Sequence, residues 1–361
     1  MSKKKVLFLY NGGTIGQIPM TINGVVTLTP PKDDSEFKKA CQSILDSYKN
    51  NMDITFELVT TKDSTNMTPN DWEKLIFRVK KAQDEGYDAV GIAHGTDTLA
   101  YTSTALALGL HGKNKSGLKI PVCITGAQNP IYEAGGDGRF NLENLFRVII
   151  EAMRQEIADV IVNFWNRVLL GSRTLKISER KFDAFQTPTY PNVGEIDSSG
   201  VKLKTELLKL KKDAAEKFEI TPRFGRGIVS FELNPGIDPN ILLGMVTNGG
   251  ISAMILKSLG EGNVCSEGQY NLLPMIQQAS TEYMVPIFIT TKFSDGSAVS
   301  THYEVGVRAI QAGGIPCYDH TDVAVDVKVK WLIGNGMCST IADFKKAMET
   351  SYAGEVSPIK K

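Results

Sequence analysis

Short apolar, β-branched runs recur along the chain at Val6–Tyr10, Ile54–Val59, Ala89–Ala93, Pro121–Ile124, Val160–Phe164, Ile228–Leu233, Ala253–Leu256 and Pro286–Ile289. Between them lie amphipathic stretches such as Pro69–Glu85, Thr98–Leu110 and Leu142–Gln155. The runs read as strands and the stretches as helices. Strand alternating with helix predicts parallel sheet covered on both faces, an α/β, doubly wound class. At 361 residues the chain is long enough for two domains. The composition shifts near residue 200: Lys202–Lys217 is rich in Lys, Glu and Leu, and Pro222 follows. That segment predicts an exposed charged helix in a linker at 201–225, although a solvated helix within one domain reads almost as well. The expected organisation is a larger N-terminal parallel-sheet domain, 1–200, and a smaller C-terminal α/β domain, 226–361.

Composition narrows the function. Hydrophobic residues make up 42% and charged residues 22%, ordinary values for a globular chain with a large core. Lys+Arg and Asp+Glu number 40 each, so the formal net charge is zero. A nucleic-acid binder carries an excess of basic charge, so neither nucleic acid nor a membrane surface is expected as a partner. Five cysteines, at 41, 123, 265, 317 and 338, form no CxxC pair and read as free thiols in a reducing compartment. The histidines at 94, 111, 302 and 320 show no ligand spacing, so no metal is expected. Val6–Leu9, after Lys3-Lys4-Lys5, is too short for a signal peptide. The uncharged stretch Ile241–Leu256 is broken by Asn248-Gly249-Gly250 and too short to span a bilayer. A cytoplasmic location is expected.

In open parallel sheets ligands sit beyond the carboxyl ends of the strands, so the residues after each run are where chemistry is sought. Val6–Tyr10 leads to Asn11-Gly12-Gly13-Thr14-Ile15-Gly16, and Ile54–Val59 to Thr60-Thr61-Lys62-Asp63-Ser64-Thr65-Asn66. Ala89–Ala93 leads to His94-Gly95-Thr96-Asp97-Thr98, and Pro121–Ile124 to Thr125-Gly126-Ala127-Gln128. Hydroxyls, aspartates and glycines thus gather at one rim, where packing would ask for apolar side chains. A polar pocket for a small hydrogen-bonding ligand is expected.

Asn11–Gly16 also approximates the dinucleotide pattern GxGxxG, with Asn11 at the first glycine. That pattern opens a helix at once, whereas Pro19, Asn23-Gly24 and Pro30-Pro31 follow here, which counts against a nucleotide-binding dehydrogenase. The glycines still leave amides open to a developing oxyanion. A threonine hydroxyl needs a base, and no Ser-His-Asp set suggests itself; His94, at a strand end, reads as structural. A desolvated lysine paired with an aspartate can shuttle that proton. Lys176, after the fifth run, is placed for it, although spacing alone favours a surface lysine.

In order, Asn11–Gly16, His94–Thr98 and Gly171-Ser172-Arg173-x-x-Lys176 resemble the bacterial-type L-asparaginase family. The resemblance covers nearly the whole chain. It continues through Asp63-Ser64-Thr65-Asn66-Met67-Thr68-Pro69, Thr125-Gly126-Ala127-Gln128-x-Pro130 and Asp137-Gly138-x-x-Asn141-Leu142. Later matches are Phe182-Asp183-Ala184-Phe185, Gly260-x-Gly262-Asn263 and Tyr303-Glu304-Val305-Gly306. The Asp-Ser-x-Asn-Met-Thr-Pro form is similar to the cytoplasmic type I branch. The resemblance implies hydrolysis of L-asparagine to L-aspartate and ammonia through a threonine acyl-enzyme, with no metal or cofactor. It implies Thr14 as the nucleophile, with Thr96, Asp97 and Lys176 completing the catalytic cluster. Asp63, Ser64 and Thr65 would bind substrate, Ser64 and Thr65 at its α-carboxylate and Asp97 at its α-amino group. Backbone groups at Gly13 and Ala127 would complete the pocket. Asn263 would close the site of a neighbouring copy in a homodimer or homotetramer. The type I branch also implies an allosteric asparagine site.

Some positions depart from the family pattern. Asn11 stands where the family has threonine, and Ser172 replaces the asparagine of Gly-Asn-Arg. Gly24-Val25-Val26 occupies the stretch where many members carry a lid tyrosine. Thr21, Thr27 or Thr29 is expected to supply that hydroxyl, and Ile18–Pro31 to form a mobile loop. The regulatory cysteine of some members falls near Lys292. The lid change keeps an asparagine-binding sensor, or a weakly active member, as the alternative. Retention of Thr14, Thr96, Asp97 and Lys176 together argues against it, since a sensor needs no proton shuttle. An ammonia-supplying amidotransferase subunit ranks lower, because such subunits carry an extra N-terminal domain. Lysophospholipase-like relatives rank lower still, with no apolar acyl groove identified.

Overall fold

The structure is a computed structural model and describes residues 3–111, 117–212, 217–298 and 304–359. The chain divides into two compact units, Met1–Ile220 and Thr221–Lys361.

In the first unit β1 (Lys4–Asn11) leads to the hairpin β2 (Ile18–Ile22) and β3 (Val25–Thr29), then α1 (Asp34–Tyr48) and β4 (Met52–Thr60). Next come α2 (Pro69–Asp84), β5 (Ala89–His94), α3 (Leu99–His111), β6 (Val122–Thr125), α4 (Asp137–Arg154) and β7 (Val160–Phe164). The short strands β8 (Arg167–Leu170), β9 (Leu175–Lys176), β10 (Phe185–Gln186), β11 (Gly194–Asp197) and β12 (Gly200–Leu203) complete it. The main sheet runs β12-β11-β8-β7-β6-β5-β1-β4. Its β4-β1-β5-β6-β7 portion is parallel, and β8, β11 and β12 are added antiparallel. β1 lies between β4 and β5, with Val6 opposite Ile54 and Ala89. Val6 to Asn11 are all buried, as a central strand covered on both faces requires. Val6, Phe8 and Tyr10 share a core with Phe37 and Cys41 of α1 and with Leu142, Leu145, Phe146 and Ile149 of α4.

One expectation is corrected here. The Lys202–Lys217 segment is not helical where it is described. Gly200–Leu203 pairs with β11, a single 3-10 turn follows, and Leu210 bridges Ile157. Leu203, Leu207 and Leu208 pack against the core, so sheet pairing and apolar burial override the helix propensity of the lysines and glutamate; 213–216 lie outside the described residues. Within the segment Ile18–Pro31, expected to be mobile, β2 and β3 pair as a hairpin. Asn23 (φ 51°) and Gly24 (φ 79°) form its turn, with the left-handed pair that a two-residue hairpin needs.

The second unit contains β13 (Ile228–Glu232), α5 (Pro239–Asn248), β14 (Ala253–Ser258), α6 (Leu273–Thr281), β15 (Ile287–Thr291) and α7 (Glu304–Gln311). β16 (Ile315–Pro316), α8 (Asp322–Gly334) and α9 (Ile341–Glu349) follow. Its four strands form one parallel sheet in chain order. Tyr303 and His302 lie outside the described residues. Cys41, Cys123 and Cys317 are buried, and all five cysteines are free thiols. Among the described residues no helix is long and apolar enough to cross a membrane.

Candidate active site

β4, β1, β5 and β6 end side by side, and glycines let the turns beyond them touch. Gly12 (φ 79°) has the Lys62 carbonyl oxygen 2.1 Å from where a β-carbon would be. A β-carbon on Gly13 (φ 93°) would lie 2.3 Å from Gly95 Cα. Gly95 faces Ser64, whose Oγ would be 2.6 Å from a β-carbon there. One on Gly126 would stand 2.5 Å from the His94 carbonyl oxygen and 3.4 Å from the Thr96 methyl. The Gly13-Thr14, Ser64, Gly95-Thr96 and Gly126-Ala127 segments are therefore one cluster.

Side chains hold these turns in place. The Tyr10 hydroxyl donates to the Gly13 carbonyl at 3.1 Å. Asp63 caps the turn Ser64–Asn66, accepting from the Thr65 amide at 2.8 Å and the Thr65 hydroxyl at 2.7 Å. Those bonds from Thr65 hold its carboxyl below the usual range. Thr98 Oγ1 donates to the Ser64 carbonyl at 2.8 Å, tying the β4 and β5 turns together. His94 is fully buried, and burial pushes its imidazole down to about 4. The ring is neutral at pH 7; its Nδ1 sits 2.7 Å from the Gly95 carbonyl, so Nδ1–H donates there.

Lys176 comes from the segment that follows β8. Ser103 Oγ on α3 donates to the Gly171 carbonyl at 2.8 Å, and Thr174 Oγ1 donates to that of Leu170 at 2.8 Å. Lys176 then pairs with Phe185 in a two-stranded ribbon. Its Nζ donates to Thr96 Oγ1 at 2.9 Å and to Asp97 Oδ1 at 2.6 Å. The lysine side chain is 19% exposed and the aspartate 53%, so the ion pair is open to solvent rather than sealed in the core. A hydroxyl, an ammonium and a carboxylate in direct contact can hold and pass a proton.

Of the expected site residues, Gly13, Thr14, Asp63, Ser64, Thr65, Thr96, Asp97, Ala127 and Lys176 all belong to the first unit, and Asn263 to the second. Asn263 forms a tight backbone bridge with Leu259, and its buried side-chain oxygen has no hydrogen-bond partner among the described residues. Asn11 Nδ2 lies 3.9 Å from the Met67 sulfur. Of the threonines proposed in place of the lid tyrosine, Thr29 donates to the Ile18 carbonyl at 3.3 Å; Thr27, two residues before it, shares its hairpin face. Sequence reasoning missed the supporting bonds of Thr98, His94 and Gln128. Gln128 Nε2 donates to the Ser178 carbonyl at 3.2 Å, just past Lys176. The signal for each was its place inside a motif already quoted.

The family model described as "Asparaginase, N-terminal" matches residues 5–209, and "Glutaminase/Asparaginase C-terminal domain" matches 228–348. The chain is similar to L-asparaginase 1 of Escherichia coli, 30% identical over 99% of each chain. It is also similar to an L-asparaginase of Thermococcus kodakarensis, 32% identical over 82% of this chain and 84% of that one. Among solved structures, L-asparaginase I of Vibrio cholerae superposes with a TM-score of 0.83 at 27% identity, covering 99% of this chain and 100% of that one.

Proposed function

Because the chain belongs to the asparaginase family, its reaction is the hydrolysis of L-asparagine to L-aspartate and ammonia, and we propose that Thr14 is the nucleophile. The observation that carries this reading is the Thr96–Lys176–Asp97 contact on a rim where Gly13 and Gly95 touch. In the proposed cycle Thr14 Oγ1 bonds to the side-chain amide carbon and its proton passes to Lys176 by way of Thr96. Backbone N–H groups of the glycine turn meet the oxyanion. Collapse breaks the C–N bond, and the nitrogen takes up the proton and leaves as ammonia. Water then attacks the ester, releasing L-aspartate and restoring the Thr14 hydroxyl. In the proposed cycle Lys176 is the proton acceptor, and Asp97, 2.6 Å from its Nζ, is the counter-ion for the charge that the transfer creates.

The half-exposed Asp97 carboxylate also suits the α-ammonium of the substrate, and Ser64 with Thr65 its α-carboxylate. Asp63, turned onto Thr65, supports that turn from behind. Asn263 is proposed to act on a neighbouring copy in a cytoplasmic homodimer or homotetramer, and no cofactor enters the cycle.

A sensor remains the second reading, favoured by one observation: Val25 and Val26 are 66% and 70% exposed where a lid tyrosine would stand. Ammonia release from L-asparagine, with chelator present, separates the two. The hydrolase reading expects Thr14→Ala and Lys176→Ala each to lower the rate by about 10³-fold or more. Release that survives Thr14→Ala unchanged contradicts the nucleophile. No release, with L-asparagine still binding by calorimetry, selects the sensor.

A further inference from the structure

The Asp137-Gly138-x-x-Asn141 motif has no part in the cycle above, yet it supplies two buried side chains. Asp137 opens α4 and is fully buried. Its carboxylate accepts from the backbone N–H groups of Gln128, at 3.0 and 3.1 Å, and of Asn129, at 2.9 Å. Burial raises its carboxyl against the pull of those bonds. Asn141, one turn on and also fully buried, donates to the Gly126 carbonyl at 2.9 Å and to Asp137 Oδ2 at 3.1 Å. Its own oxygen accepts from the Trp165 amide at 2.9 Å. Gly138 lets the helix press on the same turn, since a β-carbon there would lie 2.5 Å from the Asn129 carbonyl oxygen.

The carbonyl of Gly126 and the amides of Gln128 and Asn129 are thus all taken. Between them, buried Ala127 forms no backbone hydrogen bond among the described residues. Buried backbone groups are rarely left unpaired, and here the two flanking peptide planes are fixed while the middle residue is kept open. We propose that Asp137 and Asn141 are positioning residues of the reaction, which hold the Gly126–Asn129 turn so that the Ala127 carbonyl accepts from the leaving amide nitrogen. The inference rests on the placement of Ala127 in the pocket given above.

L-aspartate β-methyl ester provides the test, because it yields the same acyl group with a leaving group that has no N–H to donate. Asp137→Asn puts an amide against two N–H donors, and Asn141→Ala frees the Gly126 carbonyl. Each is expected to lower kcat/KM for L-asparagine about tenfold more than for the ester, the scale of one lost hydrogen bond, with the extra loss in kcat. A clamp that only supports the fold lowers both substrates equally, because the ratio cancels the folded fraction. Equal losses, no loss, or failure of both variants to fold by circular dichroism would overturn the proposal. Thr14→Ala is assayed in parallel. If it stays active the nucleophile assignment fails, whereas an active, Thr14-dependent enzyme with an unchanged ratio sinks only this inference.

Discussion

At the residue scale the site depends on which side chains are charged. Lys176 donates to Thr96 and Asp97 together, whereas His94, though at the same rim, is fully buried with no ion pair among the described residues and held to about 4. Unfolded, that imidazole binds its proton near 6.5. Between the two values the unfolded chain binds more protons than the folded one, so the contribution of His94 is full above pH 6.5 and is lost as pH falls towards 4. Over that window the loss is about 3 kcal/mol. Chemical denaturation at pH 7.5 and 4.5 should show this drop in the wild type and less of it in His94→Gln. Parallel profiles for the two proteins would mean that His94 is not the group responsible.

At the element scale the turns decide what the strands can deliver. Gly13 combines φ 93° and ψ 168°, a region open essentially to glycine alone, with a backbone neighbour, Gly95 Cα, 2.3 Å from where a β-carbon would be. Gly13→Ala should therefore displace Thr14 and cost about 10²-fold or more in kcat/KM. Gly24→Ala is the control: its φ is 79°, but no atom of the described residues lies within 4 Å of the new methyl, so it should cost about 1 kcal/mol locally and much less activity. Comparable kinetic losses in the two variants would refute the close-contact argument.

The same scale explains what the sequence could reveal. The longer strands were legible because Val6–Asn11 of β1 and all of β5 and β7 are buried, and their central residues read as apolar runs. β8 to β12 have two to four residues each, too few for any period to register. Over the described residues 202–212 the expected helix failed because Leu203, Leu207 and Leu208 serve the core from a strand and a single 3-10 turn, a tertiary choice hidden from local pattern. Of the site, the hydroxyls and Asp97 were legible at strand ends. Lys176 was not, because two side-chain bonds to the backbone and a two-stranded ribbon bring it there.

At the scale of the whole molecule, two α/β units with balanced charge carry one polar rim in the larger unit. The formal net charge is zero, and a small zwitterionic substrate asks only for local complementarity, the role proposed for Asp97 and the hydroxyls. What remains central is the covalent step at Thr14. Mixing the protein with excess L-asparagine, quenching in acid within the first turnovers and mapping the peptides by mass spectrometry tests it directly. The account expects an adduct of about 115 Da, L-asparagine less ammonia, on the peptide that contains Thr14, and none in Thr14→Ala. An adduct on any other residue, or one that forms equally in Thr14→Ala, would contradict it.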